Sequence, residues 1–249
     1  MKPSTKIKNF CILGERNSGT NFLHSAIKLN FELKYKKICH KHFWRIENQL
    51  SLFKNTAILV IVRNIHDWIN SMYQSPFHLQ PELKNPKNKF DFLNKQFWSV
   101  YDEDFIEHDN WYDHEIQEDR HLVTGARYKN IFQARYTKYN QILKLLTNDN
   151  SHIYLLKYED LNEGYDKNLR LISAHYNLKF NDSVINKVNT YRGFKKSEKM
   201  INIQSKPKIF TELEIASHPD FSLNNEMQLG YIQKKEVDRG SFKYTNIVS

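Results

Sequence analysis

Residues Phe10–Leu23, FCILGERNSGTNFL, join a short apolar run, a glycine-bounded turn and a helix-forming segment. A strand, turn and helix in that order present backbone N–H groups and a helix N-terminus to an anion, usually a phosphate. Gly14 and Gly19 have the spacing of the phosphate loop of metal-dependent NTPases. Thr20, however, stands where that loop has its phosphate-clamping Lys, and Asn21 where it has its Mg²⁺-binding Ser or Thr. This turn can cradle a phosphate, but it lacks the parts of a metal-dependent NTPase.

A second segment supplies cationic chemistry. Thr56–Val62, TAILVIV, is a run of apolar and β-branched residues and reads as a buried strand. In an NTPase such a strand often ends in an Asp that holds the metal. Here it ends in Arg63, and Ser71 follows eight residues later on the next helix. An Arg at a strand end with a hydroxyl on the following helix makes a clamp for a second phosphate and needs no metal.

The two segments together resemble the sulfotransferases that use 3′-phosphoadenosine 5′-phosphosulfate (PAPS). The likeness is closest to the bacterial-type branch with GERNSGTN and VRNxxxWxxSM signatures. It covers residues 8–75 well and residues 150–162 and 222–231 weakly. The resemblance implies that Arg16, Asn17, Ser18, Gly19, Thr20, Asn21 and Phe22 form the loop that holds the 5′-phosphosulfate. Ser18 can cap the helix in the same position, and Phe22 suits either adenine packing or the core. Arg63 and Ser71 then hold the 3′-phosphate. The cytosolic members of that family have Lys immediately before Ser-Gly-Thr, and this chain has Asn17. Arg16 or Lys41 is the candidate replacement for that charge at the bridging oxygen, with Arg16 placed first. His42 precedes Arg63 by 21 residues, which matches the family's general base, and an imidazole suits proton removal from a hydroxyl. Carboxylates of the 102–119 segment, such as Asp104, Glu107 and Glu115, are the alternative bases. His40 and His42 as a metal pair lack a Cys, His or carboxylate set at ligand spacing, so no metal site is expected.

The elements that must position these residues are legible in outline. Lys8–Leu13 reads as the first strand, Thr20–Leu29 as the first helix and Lys34–Lys41 as the second strand. Ile65–Gln74 reads as the helix after the central strand. Pro76, Pro81 and Pro86 break regular structure, and residues 76–126 read as an insertion or lid over the site. Tyr128, Phe132, Arg135, Tyr139, Ile142 and Leu146 form one stripe of a long helix. Arg135 interrupts that stripe; it reads as a snorkelling side chain, with reach into the site as the alternative. Ser151–Lys157 is the next strand, ending in Tyr158-Glu159-Asp160-Leu161, followed by a helix over Tyr165–Tyr176 and a closing helix within Leu223–Tyr231. Tyr191-Arg192-Gly193 and Asp238-Arg239-Gly240 are both imperfect versions of the family's C-terminal basic motif. The alternation of strands and helices predicts one α/β domain over residues 1–249. It is a P-loop-like three-layer fold with a central parallel sheet flanked by helices.

Composition narrows the remaining classes. At 249 residues with 40% hydrophobic and 14% aromatic content, the chain is long and apolar enough for one sizeable core. No run of 18 apolar residues predicts a membrane span, and no apolar run of signal-peptide length follows Met1. Cys11 and Cys39 are the two cysteines, so a reducing cytoplasm is the expected location. The net charge of +9 comes from scattered lysines with no nucleic-acid recognition signature; a small polyanionic cofactor or an acidic acceptor fits it better than nucleic acid. The expected function is transfer of a sulfuryl group from PAPS to a hydroxyl or amine, with a small molecule or glycan as acceptor. A metal-dependent P-loop kinase and a non-catalytic nucleotide-binding module are the alternatives.

Overall fold

The computed structural model describes residues 6–37, 41–42, 54–101, 114–147, 152–192, 198–200, 207–234 and 244–246. Its centre is a four-stranded sheet of β1 (Asn9–Leu13), β2 (Lys34–Tyr35), β3 (Thr56–Val62) and β4 (Ile153–Lys157). The strand order is β2-β1-β3-β4 and every pairing is parallel. All seven residues of β3 are buried, as a central parallel strand covered on both faces requires.

The alternation of side chains along β1 and β3 builds two cores. On one face Phe10, Ile12, Ala57, Leu59 and Ile61 pack with Leu23, Ala26 and Ile27 of α1 (Thr20–Asn30). The long α2 (Ile65–Gln74) follows β3. After the short helices α3 (Pro81–Lys84) and α4 (Asp91–Asn94) comes α5 (Ile131–Thr147). On the sheet's other face Cys11, Leu13, Ile58, Val60 and Val62 meet Tyr139 and Ile142 of α5. The chain continues through α6 (Tyr158–Glu163) and α7 (Tyr165–Tyr176), whose Leu169 and Ile172 join the first core. Helices on both faces of a parallel sheet give the expected three-layer α/β architecture. The later elements are short: β5 (Thr190–Arg192), β6 (Glu198–Met200), α8 (Glu212–Ala216), α9 (Leu223–Gln228), β7 (Ile232–Lys234) and β8 (Tyr244–Asn246).

A third core joins Trp68, Ile69 and Met72 of α2 to Leu79, Leu83, Phe92, Phe97, Tyr128 and Phe132. The described parts of the 76–126 segment are therefore packed structure. Isolated bridges Leu79↔Ser99, Phe97↔Tyr128 and Val100↔Glu115 tie them together. Residues 102–113, with Asp104 and Glu107, lie outside the described residues, as do Cys39, His40 and Arg239. The second strand, expected over Lys34–Lys41, pairs only at Lys34 and Tyr35, and residues 38–40 lie outside the described set. No helix among the described residues is long and apolar enough to cross a membrane.

Candidate functional site

The turn between β1 and α1 is shaped by two glycines. A side chain at Gly14 would meet the Ile61 carbonyl and the Ser18 hydroxyl at 2.7 Å. Gly19 has φ 95° and caps α1, and a side chain there would strike the Tyr158 ring at 2.4 Å. No side chain caps α1, so its first turn directs backbone N–H groups and the positive end of the helix dipole out of the loop. Ser18 donates its hydroxyl to the Glu15 carbonyl at 2.5 Å, closing the turn from inside, and Thr20 is buried at the start of the helix.

Lys41 and His42 come to the same turn. The Gly14 N–H donates to the Lys41 carbonyl at 3.0 Å, and the Lys41 ammonium donates to Asn21 Oδ1 at 2.5 Å. His42 Nδ1 lies 2.7 Å from the Gly14 carbonyl. A carbonyl only accepts, so this contact assigns the proton of a neutral ring to Nδ1 and leaves the lone pair on Nε2.

Asn17 unites the two motifs. It adopts φ 60°, a left-handed conformation that Asn tolerates better than most residues. Its carbonyl accepts from Arg63 Nη1 at 3.0 Å. Its amide donates to the carbonyls of Ser71 at 3.2 Å and Ser75 at 2.7 Å, capping the C-terminal turn of α2. Arg63 and Ser71 are thus assembled around the loop, with the Arg63 guanidinium 4.7 Å from the centre of the Tyr158 ring. Glu159 accepts from the Asn64 N–H at 2.9 Å and from the Tyr231 hydroxyl at 2.9 Å, fixing the turn that follows Arg63.

Two side chains depart from the sequence expectation, and for a third, Phe22, the structure takes the core alternative over adenine packing. Arg16 is 1% exposed and turns away from the cradle. It donates to the His78 carbonyl at 3.1 Å, to Ser99 Oγ at 2.7 Å and to Asp119 Oδ2 at 3.0 Å, and stacks on Phe97. Its charge is committed to a buried quartet completed by Lys138, which lies 2.9 Å from Glu15 and 2.5 Å from Asp119. A guanidinium held there cannot also reach a leaving group over the loop. Asn17 places its amide on α2 rather than on the anion side. Phe22 is in the core, with its ring against Tyr158 and Tyr165. Burial satisfies its apolar ring and leaves no face for a base to stack on.

Arg135 does not snorkel. It is fully buried and makes a two-bond pair with Glu226, at 2.8 and 3.0 Å, while donating to the Arg63 carbonyl at 3.0 Å. Sequence reasoning missed Glu226, although a cation inside an apolar stripe requires a buried anion somewhere, and Glu226 lies in a short apolar-flanked helix. Glu115, an alternative base by sequence, is bound to Arg120 and Arg127 at 2.9 and 2.8 Å. Among the described residues no group of three or more His, Cys, Asp or Glu is placed to hold a metal ion.

The arrangement is a helix-N-terminus anion cradle with a lysine and an oriented imidazole on one side and an arginine with a serine-bearing helix on the other. All of them sit at the C-terminal ends of parallel strands, where open α/β sheets bind ligands. No protein-family model matches the chain, and no curated protein matches it.

Proposed function

We propose that this chain is a PAPS-dependent sulfotransferase acting on a hydroxyl or amine, with a saccharide as acceptor. The observation that carries the reading is the convergence of Lys41, His42 and Arg63, with the Ser71 turn of α2, around the loop that leads into one helix N-terminus without a side-chain cap. The first turn of α1 binds the 5′-phosphate through its N–H groups. Lys41 faces the bridging oxygen and supplies the charge that the loop lacks at Asn17, with Arg16 spent in the interior. Arg63 and Ser71 receive the 3′-phosphate. His42 Nε2 accepts the acceptor's proton as its oxygen attacks sulfur. The bond from sulfur to the bridging oxygen breaks, and the electron pair stays on the departing phosphate, where Lys41 balances it.

Calorimetry tests the cofactor half of this reading. The bisphosphate product, 3′-phosphoadenosine 5′-phosphate (PAP), is expected to bind far better than ATP and equally well with and without chelator. Equal affinity for PAP and ATP, or a strict Mg²⁺ requirement, refutes it and favours a kinase. Binding of PAP with no transfer from labelled PAPS across an acceptor screen leaves a nucleotide-binding module.

A further inference from the structure

The face of α1 that begins at the anion cradle runs into a cleft of ≈480 Å³. Its walls are His24, Ser25, Lys28 and Leu29 on the helix and Lys187–Thr190 opposite. Asn21, His24, Ser25 and Lys28 recur at three- and four-residue spacing, so they share one face with the side chain that holds Lys41. The lining includes two lysines and no carboxylate. Both lysines are exposed, and among the described residues neither has an ion-pair partner. Burial, and after it the fields of Lys41 and Lys28, hold the His24 imidazole below its ordinary value, so the ring is a neutral wall in a cationic cleft. It packs edge-on against Tyr35, 4.9 Å between centroids, which holds the ring in place from outside the cleft. Ser25, Asn189 and Thr190 add hydroxyl and amide groups.

The His24 ring, the hydroxyl and amide groups, and two exposed lysines together suit one ligand chemistry. A sugar ring lays its C–H face on the aromatic group, its hydroxyls bond to the polar side chains, and its acidic substituents meet the lysines. Resting on the sulfuryl-transfer reading, we infer that this cleft is the acceptor groove and that it selects an anionic saccharide chain. Lys28 lies two turns along α1 from Asn21, about 10 Å at the helical rise. An anion held there belongs to a sugar unit beyond the one that reacts, so the acceptor is an oligomer.

The test uses the full chain, with a hexagalacturonate as the carboxylated probe and maltohexaose as the neutral one, by calorimetry at low salt. The expected result is binding of the carboxylated probe in preference to the neutral one. Lys28→Ala combined with Lys187→Ala should weaken that binding roughly tenfold, as loss of two surface charge contacts implies. Equal binding of the two probes, or a double variant that binds the uronide like the wild type, overturns the assignment. A double variant that loses PAP and keeps the uronide gives the cleft to the nucleotide and overturns it as well. PAP titrations on the wild type separate the two levels. Loss of PAP binding there removes the sulfotransferase reading, whereas PAP binding without a preference for the uronide removes only the acceptor groove.

Discussion

Replacing Glu226 with Gln strands a fully buried guanidinium. Arg135 and Glu226 have no exposed side-chain surface and are joined by two bonds of 2.8 and 3.0 Å. Breaking a buried pair by removing one charge costs about 3–5 kcal/mol, because the other charge stays desolvated without its counter-ion. Gln keeps the shape and one acceptor, so Glu226→Gln belongs near the lower limit, about 3 kcal/mol. A domain is stable by only about 5–15 kcal/mol, so the loss is a large share of the total. Arg135→Met alone leaves the Glu226 carboxylate stranded and removes the bond to the Arg63 carbonyl, worth about a further 1 kcal/mol. Arg135→Met with Glu226→Leu removes both charges and is expected to be more stable than either single variant. Urea unfolding at constant m-value of the wild type, Arg135→Met, Glu226→Leu and the double variant gives all four corners of the cycle, with Glu226→Gln measured beside them. A cost below about 1 kcal/mol for Glu226→Gln, less than a surface pair can be worth, refutes the argument. So does a double variant whose loss equals the sum of the singles, because the pair would then carry no coupling.

Arg63→Ala is expected to weaken PAP by about 2–4 kcal/mol, since it removes a charge-assisted contact to a phosphate, and Ser71→Ala by about 1 kcal/mol. If 5′-AMP, which has no 3′-phosphate, loses as much as PAP, Arg63 is not the 3′-phosphate reader. His42→Ala should lower turnover about 10²–10⁴-fold with PAP affinity nearly unchanged. The wild-type rate should rise with pH as imidazole loses its proton, because the neutral ring is the base. If a His40→Ala variant abolishes turnover and His42→Ala does not, the wrong imidazole has been chosen. Burial pushes the Glu115 carboxyl up, but hydrogen bonds from Arg127 and Arg120 outweigh it and hold the group below its ordinary value. A depressed acid contributes stability above its unfolded value, about 4.3, and loses it as pH falls through the folded one. The stability gap between wild type and Glu115→Gln, followed by urea unfolding, should therefore close on acidification below about pH 4. A gap that stays constant to lower pH contradicts the pairing.

The parts of the fold that sequence makes plain are those whose signal is local. The bounds Thr56–Val62, Ile65–Gln74 and Tyr165–Tyr176 match the expectation because an unbroken apolar run or a clean helical face sits between evident breakers. Among the described residues β2 pairs with β1 only at Lys34 and Tyr35, and residues 38–40 of the expected strand lie outside them. The site divides in the same way. Gly19, Arg63 and Ser71 are readable from spacing, and the structure brings them together around Asn17. The quartet of Glu15, Arg16, Asp119 and Lys138 was not readable. Its members are scattered across more than a hundred residues, and a charged side chain in a list carries no mark of whether it will be buried.

That quartet also explains why the loop can dispense with a lysine of its own. Glu15 and Arg16 stand next to each other in the turn, yet both point inward and are neutralised by Lys138 and Asp119. The turn's backbone is thereby fixed from below, and neither residue contributes net charge at the cradle. Position 17 must adopt a left-handed backbone and close the end of α2 with a short amide. Asn holds the left-handed conformation more readily than a lysine, and a lysine lacks the short amide that caps two carbonyls at once. In the proposed reading the cation is delivered from outside the loop. Lys41 reaches Asn21 from the chain beside Gly14, on the same side as His42. In the proposed reaction, a charge at the leaving oxygen and a base at the incoming one would then share a two-residue segment. If the sulfuryl-transfer reading holds, moving that segment displaces both groups together, so loosening its anchor at the Gly14 carbonyl should depress turnover more than it depresses PAP binding.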